Sequence, residues 1–170
     1  MVPRRTLRRP IGIRLRAGHV LGREGADLMA SDNSSVIKAF LVELGSGSLD
    51  QAVSYLAEGA EWSLVQTVRG MSITKDQLKE RIGAMRASFK GNAFLLKPLS
   101  FIEQNDVLAV EVESFTETNL GKIYANKYCI IFEMADGKIA KVREYNDSLH
   151  VTEVLLPAME HARAQATQKA

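Results

Sequence analysis

Between Val107 and Asp147 the chain alternates apolar and polar residues in three runs, broken at Asn119-Leu120-Gly121 and at Asp136-Gly137. Alternation of period two marks strands with one packed face, and Asp-Gly between such runs marks a tight hairpin. The pattern predicts strands over about Leu99–Glu103, Val107–Glu117, Lys122–Met134 and Lys138–Asn146, with a turn at Asn105-Asp106. Upstream the period changes to that of helices. Ile37, Phe40, Leu41 and Leu44 form one face of a helix with N-cap candidates Asp32 and Ser34, ended by Gly45-Ser46-Gly47. Ser48 with Gln51 and Thr74 with Gln77 have the spacing of capping boxes. The first opens a short helix carrying Leu49, Val53 and Leu56; the second opens a longer one carrying Leu78, Ile82, Met85 and Phe89. Gly59 breaks the short helix before a strand, Ala60–Val65, that contains Trp62. Ser148 is expected to cap a last helix that stops near Pro157.

Helices first and a meander of long antiparallel strands afterwards predict an α+β fold, in which helices pack on a curved, mainly antiparallel sheet and form a cone-shaped barrel. A chain of 170 residues suffices for one domain with a sizeable core. The expected organisation is a basic, disordered extension over residues 1–30, a domain over 31–157 and a polar tail over 158–170.

Charge changes this picture at one end. Seven arginines lie within the first 23 residues and no acid precedes Glu24, so the net charge of +2 conceals a mildly acidic domain. A true start at Met29 is the alternative to a disordered arm. No apolar run reaches the roughly 18 residues of a membrane span, and the Arg-rich start lacks the apolar centre of a secretory signal. With Cys129 as the single cysteine, read as a core thiol, a cytoplasmic location is expected. No histidine pair or cysteine cluster has metal-ligand spacing, and no Gly-rich phosphate loop occurs, so neither metal nor cofactor is expected. Lys and Arg are scattered over the domain, which leaves nucleic-acid binding to the Arg-rich N-terminal extension alone.

Candidate chemistry comes from polar groups on the strands. Glu111 and Glu113 share a strand face, about 7 Å apart, and inside a pocket their mutual repulsion and desolvation would raise a pKa toward the range of proton transfer. The plain alternative is a solvated face bearing two surface acids. Asp147 closes the last strand, where it serves either as an acid–base group or as the N-cap of the final helix. Asn126 and Tyr128 lie on one face with Tyr124, Ile130 and Phe132, and could orient a carbonyl-bearing ligand. Tyr145 has the parity of Asp147. Trp62 is a pocket wall or a core residue, and His150, one turn into the last helix, is a titratable neighbour or a packed one.

The series Gly121-Lys122, Tyr124, Asn126-Lys127-Tyr128, Phe132, Asp136-Gly137-Lys138-Ile139 and Val142-Arg143-Glu144-Tyr145-Asn146-Asp147 resembles the SnoaL-like, ketosteroid-isomerase-like polyketide cyclases of the nuclear transport factor 2-like superfamily. Ala60-Glu61-Trp62 and Val68-Arg69-Gly70 add to the likeness, which spans about residues 33–156. The resemblance implies the cone fold, a homodimer formed through the sheet, and cofactor-free acid–base chemistry on an apolar carbonyl-type compound: isomerase, cyclase or hydratase/hydrolase work. By likeness to limonene epoxide hydrolases, Asp147 and Glu113 are the catalytic candidates, with Glu111 standing where those enzymes have an arginine. Tyr128, Asn126, Tyr145, Trp62 and His150 are the substrate-binding candidates. The superfamily also holds non-catalytic ligand-binding and dimerisation modules.

Overall fold

The computed structural model describes residues 26–64 and 71–168, with side chains over 33–64 and 73–168. The Arg-rich segment, Asp32's side chain, Val65 and Val68-Arg69-Gly70 lie outside these. Two helices, α1 (Ala26–Gly45) and α2 (Leu49–Ser54), lead into strands β1 (Leu56–Leu64) and β2 (Met71–Thr74). Helix α3 (Lys75–Arg86) follows, then β3 (Leu96–Gln104), β4 (Val107–Ser114), β5 (Thr116–Glu117), β6 (Ile123–Tyr124), β7 (Lys127–Ala135) and β8 (Lys138–Asn146). The chain ends in α4 (Ser148–His150) and α5 (Leu156–Gln168). Six strands form one sheet in the order β2-β1-β8-β7-β4-β3, in which only β1 and β8 run parallel, while β5 and β6 pair separately. This is the expected α+β architecture.

Several local signals act as read. Thr74 and Gln77 form the reciprocal capping box of α3, and Ser48 accepts a hydrogen bond from the Gln51 amide at the start of α2. Asp136 and Gly137 both take positive φ, 50° and 70°, as a twisted two-residue hairpin between β7 and β8 requires. Other boundaries move. Helix α1 begins at Ala26, so Ser34 lies inside it and is not its cap. β1 begins before Gly59, which sits at φ 71° where the pairing of β1 with β8 slips between Leu56 and Glu61; the glycine shapes a bulge and does not end a helix. Asp147, not Ser148, caps the last helix. Pro157 does not stop that helix either. Residues Val151–Leu155 form a π turn, in which the Leu156 amide bonds to the Val151 carbonyl. The wider turn removes the carbonyl clash that bars proline from an α-helix interior, so the helix continues to Gln168.

Helix α1 covers the concave face of the sheet. Ile37, Phe40, Leu41 and Leu44 are all at most 2% exposed, and the Phe40 ring meets Trp62 and Phe132 at 5.9 and 6.2 Å. Its C-terminal carbonyls are held by one buried side chain: Arg86 donates Nε to Leu44 O at 3.0 Å, Nη1 to Gly47 O at 2.8 Å and Nη2 to Glu43 O. Desolvation lowers the Arg86 pKa, offset in part by the Glu43 charge. Gly45 allows the close approach of β3, since a Cβ there would stand 2.5 Å from the Phe94 carbonyl oxygen.

Candidate functional site

The side chains on β4 decide the fate of the first candidates. Leu108, Val110, Val112 and Ser114 face the core, so Glu111 and Glu113 face outward. Apolar residues claim the inner face because their burial is favourable, whereas an unpaired buried carboxylate costs several kcal/mol. Glu111 accepts from Ser100 Oγ at 2.6 Å, and Glu113 pairs with Lys97 at 3.1 Å. The expectation that they look into the cone is thus corrected. Tyr145 is corrected for the same reason: it lies opposite Cys129 in the register and is 42% exposed. Cys129 itself is an exposed thiol on that outer face, not a core one. Asp147 is exposed, and its Oδ1 accepts the amides of Leu149 and His150 at 3.0 and 3.2 Å, which is the capping role.

The inward side carries a different acid. On β8, Val142, Glu144 and Asn146 pair with the buried Phe132, Ile130 and Tyr128 of β7; Val142 is buried as well, while Glu144 and Asn146 are half-buried. On the other side Trp62 and Leu64 of β1 stand beside Val142 and Glu144. Glu144 therefore points into the interior. Its carboxylate accepts Trp62 Nε1 at 3.0 Å and Asn146 Nδ2 at 2.9 Å, and it forms no ion pair among the described residues. Desolvation raises its pKa, against the opposing pull of those two hydrogen bonds. Sequence reasoning passed over Glu144. The available signal was its parity with Val142, an apolar residue two positions earlier on the same strand.

Next to this acid lies a buried polar network. Tyr124, Asn126 and Tyr128 share the inner face, as their spacing predicted, at 1%, 1% and 8% exposure. Tyr128 donates its hydroxyl to Tyr124 at 3.0 Å and lies 3.4 Å from Ser114 Oγ. Tyr124 also accepts from Asn126 Nδ2 at 2.9 Å, so its own hydroxyl proton has no acceptor among the described residues. Desolvation raises both phenol pKa values, and the Glu144 charge adds to each shift. Asn126 completes the set by clamping the Asp147 backbone, with Oδ1 accepting its amide and Nδ2 donating to its carbonyl, both at 3.1 Å. His150 closes one wall: its ring stacks on Tyr124 at 5.3 Å, and Nε2 accepts the Ala125 amide at 3.0 Å. Among the described residues every buried side-chain N or O atom has a partner.

One small interior cavity touches Trp62 and Val142 but neither Glu144 nor the tyrosines. The cavity beside Trp62, lined also by Leu56, Ala60, Ile73, Leu78 and Val142, measures about 10 Å³, one water's worth. A ligand-sized hollow is not found there. A second, more open cleft of about 240 Å³ lies outside, between Glu113, Ser114, Phe115, Ala125, Asn126 and Lys127. Among the described residues no group of three His, Cys, Asp or Glu is placed to hold a metal ion. No helix there is long and apolar enough to cross a membrane.

Comparison with solved structures identifies the fold. The chain has the nuclear transport factor 2-like fold. It resembles a protein from Jannaschia sp. CCS1 assigned to the SnoaL-like polyketide cyclases (TM-score 0.63, 13% identity, covering 74% of this chain and 92% of that one). It also resembles a phenazine biosynthesis-related protein from Pseudomonas aeruginosa (TM-score 0.64, 20% identity, 80% and 88% covered). An epoxide hydrolase from M. tuberculosis of the limonene epoxide hydrolase-like type aligns with TM-score 0.60 and 15% identity, over 82% and 98% of the two chains. No protein-family profile matches the sequence, and no curated protein is similar to it.

Proposed function

We propose that the protein binds an apolar carbonyl-type compound and moves protons on it without a cofactor, with Glu144 as the acid–base group. One observation carries this reading: a half-buried carboxylate with no counter-ion among the described residues stands on the inner face of the sheet, held by Trp62 and Asn146, and desolvation raises its pKa. A carboxyl tuned upward suits proton exchange near neutral pH better than a surface acid does. The unused hydroxyl proton of Tyr124 supplies a donor for a developing oxyanion. In the simplest step Glu144 takes a proton from the carbon beside a carbonyl, the electron pair moves onto the carbonyl oxygen, and the Tyr124 hydroxyl steadies that charge. Return of the proton to another carbon is isomerisation; attack of the enolate on a second carbonyl is cyclisation. Glu113, Glu111 and Asp147 are not proposed as proton carriers here, because their side chains are engaged at the surface.

Trp62 is the chain's single tryptophan and donates to Glu144, so intrinsic fluorescence reports on this site directly. Exchange of the α-protons of 1-tetralone in heavy water, followed by NMR, tests the chemistry. The wild-type protein should accelerate exchange over buffer, and Glu144→Gln should return it to the buffer rate. No acceleration, or equal acceleration by the variant, ends this reading.

The small space beside Trp62 favours a second reading, a non-catalytic dimerisation module with a filled core. It would leave Trp62 emission unchanged on addition of apolar ketones. The homodimer itself is proposed to form where the outer sheet face is most apolar, at the β3–β4 hairpin end with Ile102 72% and Val107 40% exposed. Sedimentation should show Ile102→Glu shifting the protein toward monomer.

A further inference from the structure

The outer cleft is a separate feature from the interior acid. It opens where β4 leaves the main sheet. Ser114 closes the last rung by donating its amide to Asn126 O at 2.9 Å, and Phe115 then separates β4 from β5 with 65% of its surface exposed. The floor is made of two buried polar residues, Ser114 and Asn126, at 3% and 1% exposure. Their side chains are occupied by the network below them, so the floor is rigid and adds little free hydrogen-bonding capacity. The walls are unlike each other: the ring of Phe115 with the methyl of Ala125, then Lys127 and Glu113.

Charge decides what such a cleft takes. Glu113 and Lys127 are cross-strand partners in the register, yet the Glu113 carboxylate is paired with Lys97. Lys127 has no ion-pair or hydrogen-bond partner among the described residues, and none of the five ion pairs formed there includes it. The cleft therefore presents one acid already engaged by Lys97, one ammonium group that makes no ion pair among the described residues, and one exposed aromatic ring. Its volume of about 240 Å³ is below the range of about 300–1,000 Å³ usual for drug-sized ligands, which limits the occupant to one ring or a short chain.

We infer that this cleft is a second binding site, for a small apolar monocarboxylate whose body lies on Phe115 and whose carboxylate meets Lys127. The site is distinct from Glu144, which lies inside the cone and would repel an anion. It is also remote from the proposed self-association surface at the opposite end of β4, so pairing through Ile102 and Val107 leaves it open.

The probe is 3-phenylpropionate, with the uncharged 3-phenylpropionamide as its control, titrated into the full chain and followed by ¹⁵N NMR. The acid should produce saturable shifts at Ala125, Asn126 and Lys127, and the amide should bind far more weakly. Lys127→Gln should weaken the acid's binding roughly tenfold, as loss of a charge-assisted hydrogen bond implies. Phe115→Ser should weaken it several-fold, and both variants lie on the surface, where folding is undisturbed. Glu144→Gln should leave the binding unchanged, which keeps this outcome separate from the fate of the acid–base reading. Equal affinity for acid and amide, shifts centred on Trp62 in place of Ala125–Lys127, or no saturable shift at all would each overturn the inference.

Discussion

The two faces of the sheet treat the same functional group in opposite ways. On β4, Glu111 and Glu113 stand outward, bonded to Ser100 and Lys97 in solvent, while Val110 and Val112 fill the core. On β8, Glu144 stands inward among Trp62, Tyr124 and Tyr128, with amide and indole N–H groups as its partners. Water solvates the first pair at little cost. The protein must replace that solvation for Glu144, and it does so incompletely, which is why the pKa of this group is raised. A carboxylate's position along a strand thus says less about its chemistry than its parity with the nearest buried residue.

Four measurements test this difference between the faces. Packing on the inner side should give the largest effect: Phe40→Ala should cost about 3–5 kcal/mol in urea unfolding, against roughly 0.5 kcal/mol or less for Cys129→Ala on the outer side. Comparable losses at the two sites would contradict the assignment of faces. Asn126→Ala should follow, at about 1–3 kcal/mol, because it strips partners from the Asp147 backbone and from Tyr124; Ser100→Ala, its outer counterpart, should be close to neutral.

A pH series comes next. Because the folded value for Glu144 is raised, the folded chain keeps this proton where the unfolded chain has lost it. Its contribution to stability is therefore flat below the ordinary carboxylate value of about 4.3 and falls as pH rises from there toward the folded value. Glu144→Gln removes that decline, so its melting temperature should gain on the wild type with increasing pH. Parallel curves for the two proteins would contradict the burial of this group. The smallest effects belong to Glu111→Gln and Glu113→Gln, each expected within about 1 kcal/mol, since exposed pairs contribute little. A larger loss would mean that the outer face is covered.

Much of the fold was legible because local chemistry fixed it. The Asp136-Gly137 hairpin, the Thr74–Gln77 capping box and the limits of β8 follow from residues adjacent in sequence. The last helix was misread at Pro157 because a π turn is a tertiary accommodation with no composition of its own. The site was only half legible. Tyr124, Asn126 and Tyr128 were placed together correctly by period two. Glu111 and Glu113 were given an inner position against the claim of Val110 and Val112, although burial of valine outweighs any preference an acid has for that face. Glu144 was hidden by its flanks: Arg143 and Tyr145 make the segment look solvated, and only the rung shared with Ile130 and Leu64 shows otherwise.

The wide turn at Val151–Leu155 also governs the angular phase of the C-terminal segment. Each residue of a helix advances about 100°, so excising the exposed Thr152 would swing everything upstream or downstream by that amount. Either His150 would leave the face of Tyr124, or Leu155 and Ala158 would rotate out of the core. The extra residue is what lets an aromatic stack at one end and an apolar seam at the other coexist on a single continuous rod.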